Sequence, residues 1–399
     1  MEEPHGIIIV GGGICGLATA LALHRKGITS LVLEKSETLR ADGGYIGVHV
    51  NGWRVLEQLG IAAELRETAS LVTAFHDVWQ QENKSNLVPV RKELRWLKRK
   101  DLIETMAKNL PAGAICFGCH IAAIHHRADP GNHGAVLTTH DGSIITANVL
   151  IGCDGSNSVV AKYLGLSAPK STPRAFLRGF TRYPHGHAFG DHFLRLRGKG
   201  FFVGRSPVTD NLVSFFVACS SPRSADVTRD VGAMKQLVLR TLQDSECPAE
   251  ITEMVRRSDP ESLNVVASVW YRSPWQVAFA SFRRGAATVA GDAMHAMGSY
   301  IGQGGSAALE DALVLARALS RATGTGSGRR VLCEEVASAA IGEYVRERRL
   351  RVARLSLESF TVGTLLRAKS PVAKLACLAI LALLGTQALR HTNYDCGRL

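Results

Sequence analysis

The chain has 399 residues, of which 46% are hydrophobic and 21% charged, and its formal net charge is +12. That length and apolar share allow two interleaved globular domains with substantial cores. The positive excess is scattered over Arg91 to Lys100, Arg195 to Lys199 and Arg346 to Arg354, with Trp96 the one aromatic among them. This argues against a nucleic-acid surface and favours NADPH, acidic substrates or anionic lipid.

In chain order the first element is the apolar, β-branched run Ile7 to Val10, a strand buried on both faces. It opens into Gly11-Gly12-Gly13-Ile14-Cys15-Gly16, a G-x-G-x-x-G turn. Gly11 permits the tight turn, Gly13 lets a pyrophosphate approach the backbone, and Gly16 lets helix pack on strand. Leu17 to His24 reads as a helix whose amino-terminal amides face phosphate, closed by Gly27. Ser30 to Leu33 is the second strand, and Glu34 stands at its end, about twenty residues past the turn, where an acid accepts ribose hydroxyls. A carboxylate there repels a 2′-phosphate, so FAD and NAD stay open and NADP does not. Far downstream, Ala286 to Ala290 repeats the strand pattern and runs into Gly291-Asp292-Ala293-Met294-His295, so both ends of the sequence are expected to hold one dinucleotide.

Between these ends, strands are expected over Val72 to Gln80, near Ile115, over Ala135 to Thr139 and Val149 to Ile151, then over Phe189 to Leu196, Gly200 to Arg205 and Leu212 to Ala218. Asp226 to Leu242 reads as a helix, Gly324 to Gly328 as a flexible loop, and Glu334 to Leu366 as a long arginine-rich helical stretch. Residues 371–389 are apolar apart from Lys374, and the run Leu375 to Leu384 is about ten residues, short for a span needing roughly twenty. A helix covering both domains is the first reading there, a peripheral membrane contact the second and a span a distant third. The nine cysteines lack regular spacing, and Cys116 and Cys119 form an isolated C-x-x-C. Reduced thiols in a cytoplasmic-type compartment are expected, with no metal site. With a first strand beginning by about Gly6, no cleavable signal is expected before it.

Three further segments carry a family resemblance. Gly152-Cys153-Asp154-Gly155-Ser156-Asn157-Ser158, the Gly291 to His295 turn, and Gly302-Gln303-Gly304-Gly305-Ser306 running into Ala307 to Ala312 resemble the class A flavoprotein monooxygenases, of which para-hydroxybenzoate hydroxylase is the type. The closer likeness is to the plant branch related to salicylate hydroxylases and zeaxanthin epoxidase. Leu97 to Leu102 is similar to the pattern whose Arg lies near flavin and pyrophosphate, with Arg99 at that position. Asn51, Trp53, Leu56 and Leu59-Gly60 fit the family's first long helix. Ser299 stands where the family usually carries Pro, which frees φ and adds a backbone N–H.

The resemblance implies an α/β fold: a Rossmann-like FAD-binding domain of the glutathione reductase and para-hydroxybenzoate hydroxylase type, interleaved with a β-sheet substrate domain and followed by C-terminal helices. The expected division gives residues 1–70, 98–165 and 283–325 to the FAD-binding domain, 71–97 and 166–282 to the substrate domain, and 326–399 to a helical region. It implies FAD as cofactor and NADPH or NADH as co-substrate. The activity implied is hydroxylation or epoxidation of a small aromatic or apolar substrate by O2, through a flavin C4a-hydroperoxide. Cofactor contacts are expected from Gly11, Gly13, Ile14, Cys15, Gly16, Glu34, Lys35, Arg99, Ile121, Asp154, Asp292, Gly302, Gly304 and Gly305, and substrate contacts from Phe202, Phe215, Met297 and Tyr300. Arg178 and Arg205 are candidate carboxylate receivers, against a default of exposed arginine. No side chain is assigned as catalytic, because the cofactor carries the hard chemistry, and His295 reads as well as a loop residue as it does as a base. Two alternatives stand beside this: a flavoprotein reductase without oxygen insertion, and a catalytically degenerate FAD-binding regulatory protein.

Overall fold

The computed structural model describes residues 5–39, 44–129, 132–172, 174–220, 229–323, 333–368, 370–385 and 390–399. The fold is mixed α/β. An eight-stranded sheet holds Ile144–Gly152 between His5–Val10 and Ala287–Val289, all three parallel. Leu31–Leu33 and Ile115–Cys116 extend it beyond His5–Val10, again parallel. Ile7 to Val10 are buried, as an apolar run between parallel neighbours requires. Helices Ile14–Arg25 and Gly304–Thr323 pack on this sheet.

A second sheet of seven strands runs in the order Asn264–Val266, Arg174–Arg182, Leu212–Ser220, Phe201–Thr209, His192–Arg197, Ala74–Trp79, Lys84–Pro89. Every pairing in it is antiparallel except His192–Arg197 with Ala74–Trp79. Its strands alternate. Val213, Phe215 and Val217 point into a core beneath helices Val231–Asp244 and Ala249–Arg256, while Leu212, Ser214 and Phe216 line the opposite face.

Some expectations shift. Of the helix expected from Asp226, Val231–Asp244 is described, its start capped by the Asp230 carboxylate, which accepts from the backbone N–H groups of Gly232 and Ala233; residues 226–228 lie outside the described residues, as does the expected loop Gly324 to Gly328. The strand expected from Phe189 starts at His192. Arg174–Arg182 and a small sheet of Tyr45–His49, Leu94–Lys98 and Ser70–Leu71 are additions to the sequence expectation. Glu334–Leu365 is one helix. Pro371–Leu383 follows as a separate helix with only Cys377 buried, so little of it is cover; residues 386–389 lie outside the described residues.

Candidate functional site

The carboxyl ends of the three central parallel strands release the Gly-rich turn at Gly11, Cys153-Asp154, and Gly291-Asp292. Backbone bonds bind these exits to one another: Cys153 N–H donates to Val10 O and Ala290 N–H to Gly152 O, at 2.8 and 2.9 Å. Gly11 has φ +103°, and a Cβ there would lie 2.6 Å from Cys153 O. A Cβ on Gly16 would collide with Gly11 O, whereas one on Gly13 would meet nothing within 4 Å. The turn is therefore closed on the protein side and open on the other.

What it opens into is a cavity of about 2050 Å³ between the two sheets. Gly11, Gly13, Ile14, Cys15, Glu34, Lys35, Arg99, Ile121, Asp154, Asp292, Gly302, Gly304 and Gly305 all border it. Gly16 does not; it is the residue that lets the first helix close on the turn.

The electrostatics at this end suit a phosphorylated ligand. Helix Ile14–Arg25 starts at Gly13 with no side-chain cap and no acid in its first turn, so its N–H groups and dipole stay uncompensated. Glu34 accepts from Gly12 N–H at 2.7 Å and Ser36 N–H at 3.0 Å, one bond per carboxylate oxygen, and each oxygen keeps a further lone pair. Asp154 accepts from Val159 N–H through Oδ2 at 2.7 Å, while its Oδ1 is buried without a partner. Burial pushes its carboxyl up against those hydrogen bonds. Orphaned buried acceptors are rare in folded proteins and mark where a donor belongs.

The far wall is aromatic. Phe75, Trp96, Phe193, Phe202 and Phe216 border the cavity, with Phe193–Phe216 and Phe202–Phe216 centroids 6.5 and 5.7 Å apart. Phe215 borders it too, yet is 2% exposed and packs into the core on the sheet's other side; its neighbour Phe216 presents its face instead. Met297 and Tyr300 both border the cavity. The Tyr300 hydroxyl accepts from Arg367 at 2.9 Å. Arg178 borders it with its guanidinium held on Asn264 Oδ1 at 3.1 and 3.2 Å; burial and nearby Arg99 both lower its affinity for the proton. Arg205 is instead buried against Glu250, 3.0 Å away.

His49 carries no signal in the sequence that would single it out. It borders the cavity beside Gly302, and burial followed by nearby His391 lowers it to about 3, so at neutral pH it is uncharged. His295 is fully buried away from the cavity, its Nε2 2.6 Å from Asp311 Oδ2. There it braces Asp311 rather than facing the cavity. Asp311 also receives Gly291 N–H and Arg348, and Arg348 and Arg351 both bind Glu310, which holds Asn51 at 2.6 Å. Burial alone would raise Asp311, but His295 and Arg348 outweigh it and hold it at about 2. This ionic core fixes the Gly291 turn and the Gly302 loop from behind.

The family profile described as FAD binding domain matches residues 5–356. This chain belongs to that family. The flavoprotein is 43% identical to Monooxygenase 1 and 34% identical to Monooxygenase 2, both of Arabidopsis thaliana, each over the full length of both chains. Its fold matches that of HpxO from Klebsiella pneumoniae, solved as a single-substitution variant in complex with FAD, at a TM-score of 0.78 and 22% identity over 98% of this chain and 97% of that one. The flavoprotein is accordingly an FAD-dependent monooxygenase.

Proposed function

We propose that the flavoprotein uses NAD(P)H and O2 to hydroxylate or epoxidise a small aromatic or apolar substrate between its two sheets. The observation that carries this reading is the convergence of three Gly/Asp turns, from adjacent parallel strands, on one cavity whose far wall is aromatic. The carboxyl ends of such strands are where open α/β sheets bind nucleotides.

When bound, FAD would supply the activation of oxygen and its transfer. The rest belongs to the chain. The amides around Gly13 and Ile14 suit the pyrophosphate, and Glu34 the adenosine ribose. The unpartnered Asp154 Oδ1 would take a donor from the cofactor or a bridging water, Asp292 would meet the ribityl hydroxyls, and the Gly302 to Gly305 loop would lie beside the ring. Arg99 contributes positive charge beside the cavity. Phe202, Phe216, Trp96 and Phe193 exclude water from the reacting region, which strengthens every interaction inside it. Arg178 would take an acidic substituent of the substrate, and Met297 and Tyr300 would close the side nearest the ring.

The test is the visible spectrum of the purified protein, followed by NADPH under air and under nitrogen. The expected result is a flavin band that bleaches slowly until a suitable aromatic is added, with oxygenated product only under air. Product formed under nitrogen would favour a reductase, and retained FAD without substrate-dependent turnover a regulatory protein. A colourless protein that FAD does not reconstitute would overturn the whole reading.

A further inference from the structure

Helix Pro371–Leu383 carries its apolar surface on the side facing away from the protein. Inward it offers a narrow stripe: Cys377 is buried, and Ala373 and Leu381, one turn either side, are half-buried. Outward, Val372 is 75% exposed, Leu375 67%, Leu378 51% and Leu383 88%. Val372, Leu375, Ala379 and Leu383 follow spacings of three and four, so they share one face. Single exposed leucines need no explanation, but a contiguous apolar helical face in water marks something that covers it.

The charges around that face say what. From Ser359 to Tyr394 the chain contains Arg367, Lys369, Lys374 and Arg390 and no carboxylate. Arg367, Lys374 and Arg390 are exposed. Arg354 binds the carbonyl of Leu384 and so adds a fourth cation at the helix's carboxyl end. A second copy of this chain would bring the same cations against them, and its net charge of +12 would oppose the approach. An anionic lipid surface satisfies both features at once, with acyl chains for the leucines and headgroups for the cations.

We propose that Pro371–Leu383 docks the protein on an anionic membrane surface. The helix lies in the interface, with Val372, Leu375, Leu378 and Leu383 in the acyl boundary and Arg367, Lys374 and Arg390 among the headgroups. It does not cross: its length is about 20 Å against roughly 30 Å of hydrocarbon, and no helix among the described residues is long and apolar enough to span. Leu381, on the inner side of the same helix, borders the large cavity, so the docked element is also part of the cavity wall. The proposal stands on surface chemistry and is independent of the flavin reaction.

The experiment is flotation of the full-length protein with phosphatidylcholine vesicles and with vesicles of phosphatidylcholine mixed with phosphatidylserine. Binding is expected to the mixed vesicles, to weaken with salt, and to fall about tenfold or more in a Leu375→Glu, Leu383→Glu double variant. Both positions are solvent-facing, so an unchanged circular dichroism spectrum checks that the variant is folded. Absence of binding to the mixed vesicles would overturn the proposal. So would a wild-type dimer in analytical ultracentrifugation that the double variant turns into monomer while vesicle binding is unaltered.

Discussion

Single residues decide whether the phosphate cradle exists. Gly16 has no room for a methyl group, because the clash is with the backbone carbonyl of Gly11, which cannot rotate away without opening the turn. Gly16→Ala is expected to purify colourless, its FAD affinity lower by about a hundredfold, ~2.8 kcal/mol; a yellow variant with wild-type affinity would refute the assignment of this turn. Protonation is equally local. The His49 imidazole, held at about 3 in the fold, titrates near about 6.5 once unfolded, so the unfolded chain binds the extra proton between those values. Its contribution is complete above about pH 6.5 and is lost as pH falls towards about 3. Asp311, held at about 2 against about 4 unfolded, adds a second loss that begins only below about pH 4. Denaturant unfolding across this range should show stability falling in two stages, and His49→Gln should remove the first. A single transition below pH 4 in the wild type would contradict the burial of a neutral His49.

At the scale of an element, the strand Leu212–Ser220 places adjacent phenylalanines in opposite environments, since side chains alternate across a strand. Phe215→Ala empties a core position and is expected to destabilise by about 3–5 kcal/mol. Phe216→Ala removes a cavity wall, leaving stability nearly unchanged and raising the substrate KM by about tenfold. Equal stability losses in thermal unfolding would mean that both rings are core. The carboxyl-terminal segment is held in a comparable way by side chains that reach its backbone. Arg54 donates to Asn393 O and Tyr394 O, Gln58 to Gly397 O, and Arg351 to His391 O, while the Arg351 guanidinium sits 4.4 Å from the Tyr394 ring centroid. Removing residues 390–399 would uncover the Arg348 and Arg351 pairs with Glu310. A loss of about 3 kcal/mol or more follows, measurable by denaturant unfolding.

For the whole molecule, what was legible in the sequence is what is local. Strand, turn, helix, strand and acid from Ile7 to Glu34 lie within one βαβ unit, and each Gly carries its own steric reason. The Gly291-Asp292 turn was legible because it repeats that grammar. The ionic core was not, because Asn51, His295, Asp311 and Arg348 become neighbours only after the long helix Glu334–Leu365 packs on Gly304–Thr323. An arginine-rich stretch reads as solvated until its partners are known. The small sheet of Tyr45–His49 with Leu94–Lys98 was hidden likewise, since its pairing spans residues far apart in sequence and its register follows from tertiary packing. That division has a thermodynamic consequence. The segments around Gly11, Glu34, Arg99, Asp154, Asp292 and Gly302 meet at one cavity only in the folded chain, so FAD should bind the native state and not the unfolded one. Free FAD at about 100 times its Kd should then stabilise the protein by ~2.7 kcal/mol. Unfolding followed by flavin fluorescence and by the tryptophan fluorescence of a Trp53→Phe, Trp275→Phe variant should shift together: Trp53 lies in the first sheet's core and Trp275 against the long helix, whereas Trp79 belongs to the seven-stranded sheet and Trp96 packs on its Phe193. If FAD moved the flavin transition and left the tryptophan transition in place, the two sheets would be folding as independent units and the shared cavity would not couple them.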